Sequence, residues 1–198
     1  MRAKPSTQLP SSLRPLFTYS DAIAAGLSAE RIYRYRDEGH LEQVGRGLYR
    51  RTDAPPIDHN LLEMAHRVPE GTLCLVTALA RHGLTDVIPD RIDVAIPRGR
   101  RIPALQAPVD VHVFAKGTFG LGREAVRIGD GLTIGLYSAE RSLVDAVRLR
   151  HREGAEIAWG ALRRWLRRKG AKPAALIQMA RSFHGAESAI RHALEVVL

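Results

Sequence analysis

Cysteine is nearly absent: Cys74 stands alone in 198 residues. That excludes an intramolecular disulfide and a cysteine-built zinc site, and it suits a reducing cytoplasm. Long apolar runs are missing, so no segment is expected to span a bilayer. Met1–Arg14 is polar and proline-rich and lacks the apolar stretch of a secretory signal. There is no internal repeat and no long low-complexity tract. Motifs that carry chemistry are missing as well. No phosphate-binding P-loop or nucleophile elbow occurs, and Gly117, Gly120 and Gly122 do not match a dinucleotide fingerprint. The acidic residues Asp93 and Asp110 are not followed by the Glu-x-Lys of a metal-dependent nuclease. A Gly-Ser…Asp-x-Asp nucleotidyltransferase arrangement is lacking too. Catalysis is therefore unsupported, and nothing calls for a cofactor.

What is present begins with ordinary globular proportions, 45% hydrophobic and 26% charged. That length buries a core without staples. The formal charge is +9 and the pI near 10.4. A basic surface accumulates polyanions by counterion release, so nucleic acid leads the partner classes. An acidic protein or an anionic membrane would be attracted too, so charge selects a class and no more.

The pattern predicts an α+β chain in two unequal parts. Residues 1–12 read as a flexible arm and 13–52 as a winged helix-turn-helix. Asp53-Ala54-Pro55-Pro56 reads as a linker, because two prolines stop any regular element. Residues 57–198 read as a larger α+β part with a small sheet and a C-terminal helical bundle. Helices are expected at Asn60–Arg67 and Thr77–His82, and strands at Arg91–Ile96, Val109–Ala115, Glu124–Ile128 and Leu132–Tyr137. Helices at Ala139–His151, Ala155–Lys169, Pro173–Phe183 and Ala186–Val197 would finish the chain.

In the smaller part, Ser20 is a plausible cap for a short helix over Asp21–Ala25. Gly26-Leu27 turns, Ser28 caps a second helix over Ala29–Glu38, and Gly39 ends it. Strands Leu41–Val44 and Leu48–Arg51 around Gly45-Arg46-Gly47 make a wing with Arg46 at its apex. At 100° per residue Ile32 and Tyr35 face inward, Glu30, Tyr33 and Arg34 face outward, and Arg31 and Arg36 flank. Tyr33 and the arginines suit base edges and phosphates, and Ser28 with the first amides suits a phosphate. Candidate DNA contacts are thus Ser28, Arg31, Tyr33, Arg34 and Arg46. Such a unit also serves some protein–protein contacts.

The charge excess lies elsewhere. Residues 13–52 carry 7 basic against 5 acidic residues, whereas 141–169 carry 9 against 3. In the helix over 155–169, Ala158, Trp159, Leu162, Trp165 and Leu166 share one face. Arg163, Arg164, Arg167 and Arg168, with Lys169, make a basic surface. It is a solvated face, a second phosphate-contacting surface or a dock for an acidic partner. The basic loop Arg98-Gly99-Arg100-Arg101 either joins it or is a charged turn. His59, Glu63 and His66 fall on one helical face, which could hold a metal but more simply reads as solvent-facing or capping. Arg141 and Asp145, four apart on a helix capped by Ser138, are placed to pair.

Two stretches resemble the AbiEi family, the antitoxins of type IV toxin–antitoxin systems. One runs from Gly26-Leu27-Ser28 to Gly39, then Leu41…Val44-Gly45-Arg46-Gly47-Leu48-Tyr49-Arg50. The other comprises Thr77-Ala78-Leu79-Ala80-Arg81-His82-Gly83-Leu84, Ile88-Pro89, Asp93-Val94-Ala95-Ile96-Pro97 and Tyr137–Asp145. Arg36 and Asp37 depart from the family's apolar and basic residues, and Ser142 stands where threonine is commoner. The resemblance implies a cytoplasmic autorepressor that binds inverted repeats in double-stranded DNA at its own promoter. It further implies an antitoxin that counters a nucleotidyltransferase-like toxin without a stable complex. A stand-alone regulator whose larger part senses a partner or ligand is the other reading.

Overall fold

The computed structural model describes residues 9–197. The fold is α+β. Strand β1 (Leu16–Thr18) leads into α1 (Tyr19–Ala24), α2 (Ala29–Asp37), β2 (Leu41–Gly45) and β3 (Leu48–Arg51). The three strands pair antiparallel in the order β1-β3-β2. Ala22, Leu27, Ile32, Tyr35, Leu41 and Tyr49 form the core beneath them. Residues 1–8 of the expected arm lie outside the described residues, and Leu9 packs against this core.

The start of α1 differs from the sequence expectation. Thr18, not Ser20, is the cap: its hydroxyl accepts from the Asp21 amide at 3.1 Å, and the Asp21 carboxylate accepts from the Thr18 amide at 2.8 Å. This reciprocal box needs an acidic group three residues after the cap, which Thr18 has. Ser20 lies inside the helix. Strand β1 has no counterpart among the expected elements, because three residues after Pro15 show no alternation.

The larger part opens with α3 (His59–Arg67), β4 (Thr72–Leu73), α4 (Leu75–Arg81), β5 (Ile92–Pro97) and β6 (Val109–Phe114). It continues with α5 (Lys116–Phe119), β7 (Arg123–Gly129) and β8 (Leu132–Tyr137). The sheet order is β6-β5-β4-β8-β7, with β5–β6 and β4–β8 parallel. The central strand, β4, has two residues and so no readable period. The chain ends in α6 (Ala139–Arg148), α7 (Arg150–Glu153), α8 (Ala155–Leu166), α9 (Pro173–Ala180) and α10 (Ala186–Val197). The single helix expected over 139–151 is interrupted at Leu149. Helix α8 stops at Leu166, before Arg167, Arg168 and Lys169.

Period-two alternation gives the sheet two apolar faces. Val94, Ile96, Ile134 and Leu136 meet Leu61, Met64 and Ala65 of α3. Ala95, Phe114 and Tyr137 lie on the other face with Cys74 and Leu75. Beyond them α6, α8, α9 and α10 share a helical core around Leu143, Val147, Leu162, Trp165, Leu176 and Ile190. Helix α3 is a wedge, because Leu62 on its far side packs with Leu16, Val44 and Leu48 of the winged helix. The layers therefore run winged helix, α3, sheet, α6, then α8.

A polar seam reinforces the wedge. Arg50, 2% exposed, donates to Asp130 at 2.8 Å, to Glu42 at 3.1 Å and to the Pro55 carbonyl. Asp130 sits in the β7–β8 turn with φ +52°, a left-handed conformation that aspartate tolerates. His59 adds a contact to Glu42 at 3.0 Å.

Candidate nucleic-acid interface

Helix α2 is positioned from inside. Ile32 and Tyr35 are fully buried, so the 3.6-residue repeat leaves Tyr33 44% exposed and Arg34 on the surface. Ser28 caps the helix, its hydroxyl oxygen accepting from the Arg31 amide at 3.3 Å. Arg31 turns back and donates to the Tyr35 hydroxyl at 2.7 Å. Arg36 reaches Asp37 at 2.8 Å and lies over the Tyr33 ring at 5.3 Å. The two residues that depart from the family pattern thus satisfy each other at the surface.

The wing is short and held down. Gly47 has φ +65°, which lets the chain reverse in two residues. Arg46 is exposed at the apex, while its carbonyl accepts a hydrogen bond from Arg67 of α3. A Cβ on Gly45 would come within 2.6 Å of the Glu63 carboxylate, so only glycine lets the wing approach α3 this closely.

Between α2 and the wing opens a cleft of about 710 Å³. Tyr33, Gln43, Arg46 and Tyr49 line it together with Arg67, Pro103 and Ala104. Burial pushes the Tyr49 phenol above its ordinary pKa. The cleft brings Tyr33 and Arg46 together. Ser28 and Arg34 stand outside it on exposed helix surface, and Arg31 is engaged with Tyr35. Gln43 is readable from sequence as the outward residue of β2. Arg67, Pro103 and Ala104 have no local signal, because they reach the cleft only through tertiary folding.

The second basic surface divides. Arg164 forms a two-toothed pair with Asp86, and Arg168 donates to the His82 and Gly83 carbonyls that end α4. Arg163, Arg167 and Lys169 are exposed, with no acidic partner among the described residues. All five lie beyond α6, on the far side of the sheet from α2 and the wing.

The histidine face expected on α3 also separates. His59 meets Glu42, while Glu63 is buried and accepts from the Gln106 and Ala107 amides at 2.9 and 2.8 Å. Burial and Arg67 lower the His66 pKa. Glu63 is therefore neither solvent-facing nor a cap. Its role is to hold a loop that is distant in sequence. No group of three or more His, Cys, Asp or Glu among the described residues could hold a metal. No helix among them is long and apolar enough to cross a membrane.

Helix, glycine turn, helix and glycine-flanked hairpin, with this exposed face, agree with comparison to known families. Residues 8–52 match the family described as transcriptional regulator, AbiEi antitoxin. The match covers 45 of the 198 residues and coincides with the winged helix. No curated protein matches the chain. The matched segment ends where β3 gives way to residues 53–56, so the second stretch of resemblance lies outside it.

Proposed function

We propose that this protein is a transcriptional autorepressor that binds inverted repeats upstream of its own operon. The cleft between α2 and the wing is its DNA interface. The observation that carries this reading is the meeting of exposed Tyr33 and Arg46 in one cleft of the segment that matches the AbiEi family. An aromatic body with a polar tip contacts base edges or sugars, and a guanidinium at a wing apex contacts phosphate. Arg34 adds a second cation on the exposed face of α2.

Titration of full-length protein against its own upstream duplex tests this. Arg34→Ala and Arg46→Ala should each weaken binding about tenfold, in line with 1–3 kcal/mol for a specific contact. The log–log salt dependence should flatten by about one unit for each phosphate left without its cation. Unchanged affinity in both variants overturns the proposed interface.

The larger part acts as the antitoxin against a nucleotidyltransferase-type toxin, without a stable complex. Support for this comes from the AbiEi match and from the resemblance of Tyr137–Asp145. A nucleotidyltransferase reading frame immediately downstream, whose toxicity co-expression of this chain relieves, is the expected result. Continued toxicity in the presence of folded protein refutes the antitoxin role.

A further inference from the structure

A second cleft, of about 610 Å³, opens beside α1 and shares no lining residue with the α2–wing cleft. That size suits a small organic molecule. Leu16, Phe17 and Leu132 supply apolar lining. Three polar side chains from different elements reach the same space: Asp21 of α1, His66 of α3 and Asp130 of the β7–β8 turn. The winged helix and the larger part therefore each contribute to its walls.

All three polar groups have hydrogen-bonding capacity to spare. Asp21 accepts from the Thr18 amide and hydroxyl with Oδ2, which leaves Oδ1 open. The Asp130 side chain is only 7% exposed and accepts from Arg50 with Oδ2, which again leaves Oδ1 open. The His66 ring makes no hydrogen bond among the described residues. Asp21 and His66 stand close enough to bias each other's protonation. Burial and Arg67 outweigh Asp21 and lower the His66 pKa, so at pH 7 the ring is neutral and offers one lone pair.

We propose that this cleft binds a small organic cation, an apolar body of one or two rings carrying an amine or amidinium head. The head donates to the open oxygens of Asp21 and Asp130 and to the His66 lone pair, while the body covers Leu16, Phe17 and Leu132. The acceptors decide the class. A carboxylate has lone pairs and no proton to give, so an anionic head would meet repulsion and leave both oxygens unfilled. Hydrogen bonds from a cationic donor to a carboxylate are about twice as strong as neutral ones. Arg50 offsets the charge of Asp130 but occupies one oxygen of it. Arg14 also lines the cleft and acts on Asp21, so it opposes the cation. The site does not depend on the reading of the α2–wing cleft, and its test contains no DNA.

Benzamidine is the probe, with benzoate and benzyl alcohol as its anionic and neutral counterparts. Each is titrated into full-length protein at pH 7 and followed by amide NMR shifts. Benzamidine should saturate with a Kd of about 1 mM or below, within reach of a ligand this small. It should move the amides of Asp21, His66 and Leu132 together. Benzoate should bind at least about tenfold more weakly, with benzyl alcohol between them. Ala24 is exposed and lines the cleft, so Ala24→Trp should fill it and abolish saturation. Asp21→Asn should weaken benzamidine about tenfold and leave benzyl alcohol unchanged. Arg14→Ala should tighten benzamidine. Ala24→Trp and Arg14→Ala leave the Thr18–Asp21 box intact, so the test survives a loss of stability in Asp21→Asn. Absence of saturation by about 10 mM overturns the proposal, as does benzoate binding as tightly as benzamidine. Parental affinity in Ala24→Trp overturns it too, as do shifts centred on the α2–wing cleft. Weaker benzamidine binding in Arg14→Ala contradicts the role given to the carboxylates and overturns it as well.

Discussion

Arg141 is wholly buried yet permanently charged, and its surroundings explain how. It donates to Asp145 at 2.7 Å and to the Thr118 and Leu121 carbonyls at 2.7 and 2.9 Å. Its guanidinium stacks 4.3 Å from both the Tyr137 and the Phe183 rings. One side chain thereby ties α6 to the β8 end of the sheet, to the segment before β7 and to the residues after α9. The spacing of Arg141 and Asp145 announces the pair, but not the carbonyls or the rings. Removing one partner of a buried pair strands the other charge, so Arg141→Ala should cost about 3–5 kcal/mol. Arg141→Lys should recover only part, because an ammonium cannot match a planar fork. Denaturant unfolding midpoints check both; a destabilisation below about 1 kcal/mol for Arg141→Ala contradicts this account.

Among the elements, α1 shows how a cap sets a pH response. The Thr18 amide and hydroxyl donate to Asp21, holding its carboxyl below the ordinary aspartate range. A carboxylate with a lowered folded-state pKa contributes stability above its unfolded value of about 3.9, and loses it as the pH falls through the folded value. Asp21 is exposed, so screening keeps the contribution to that of a surface cap, about 0.5–1 kcal/mol. Asp21→Ala should therefore lower the melting temperature at pH 7. The gap should narrow below about pH 4, where the parent carboxyl protonates too. A gap that widens on acidification contradicts the assignment. Helix α8 teaches a different point. Its arginines look equivalent in sequence, yet Arg164 and Arg168 are stitches to Asp86 and the end of α4, while Arg163 and Arg167 are exposed. Which arginine becomes a stitch depends on what lies opposite, and the facing residues are about eighty positions away.

For the molecule as a whole, the seam at Arg50 governs how the winged helix is presented. Three acceptors converge on this guanidinium from β2, the residues before α3 and the β7–β8 turn. Together with Leu62 against Leu16, Val44 and Leu48, they make the winged helix and α3 one packed body. Arg50→Met should cost about 3–5 kcal/mol, because Asp130 is left buried without its partner. Thermal unfolding with Asp130→Asn as companion checks this. Restoration of stability by the second change in the Arg50→Met background is the expected sign that the stranded carboxylate is the cause. No restoration points to packing instead.

The sequence by itself determined the helix-turn-helix and the wing, because capping, glycine turns and apolar periodicity are local signals. It also determined the inward Ile32 and Tyr35 against the outward Tyr33 and Arg34, since helical phase follows from spacing. Only the tertiary structure decided β1 and β4, which are too short to carry a period and exist through their partners. Only it showed Glu63 holding the 106–107 loop beside the wing, a contact between residues more than forty positions apart. The distribution of basic charge was legible as a count but not as a surface. Net charge sums along the chain, whereas a DNA groove meets only the cations that folding leaves exposed on one side.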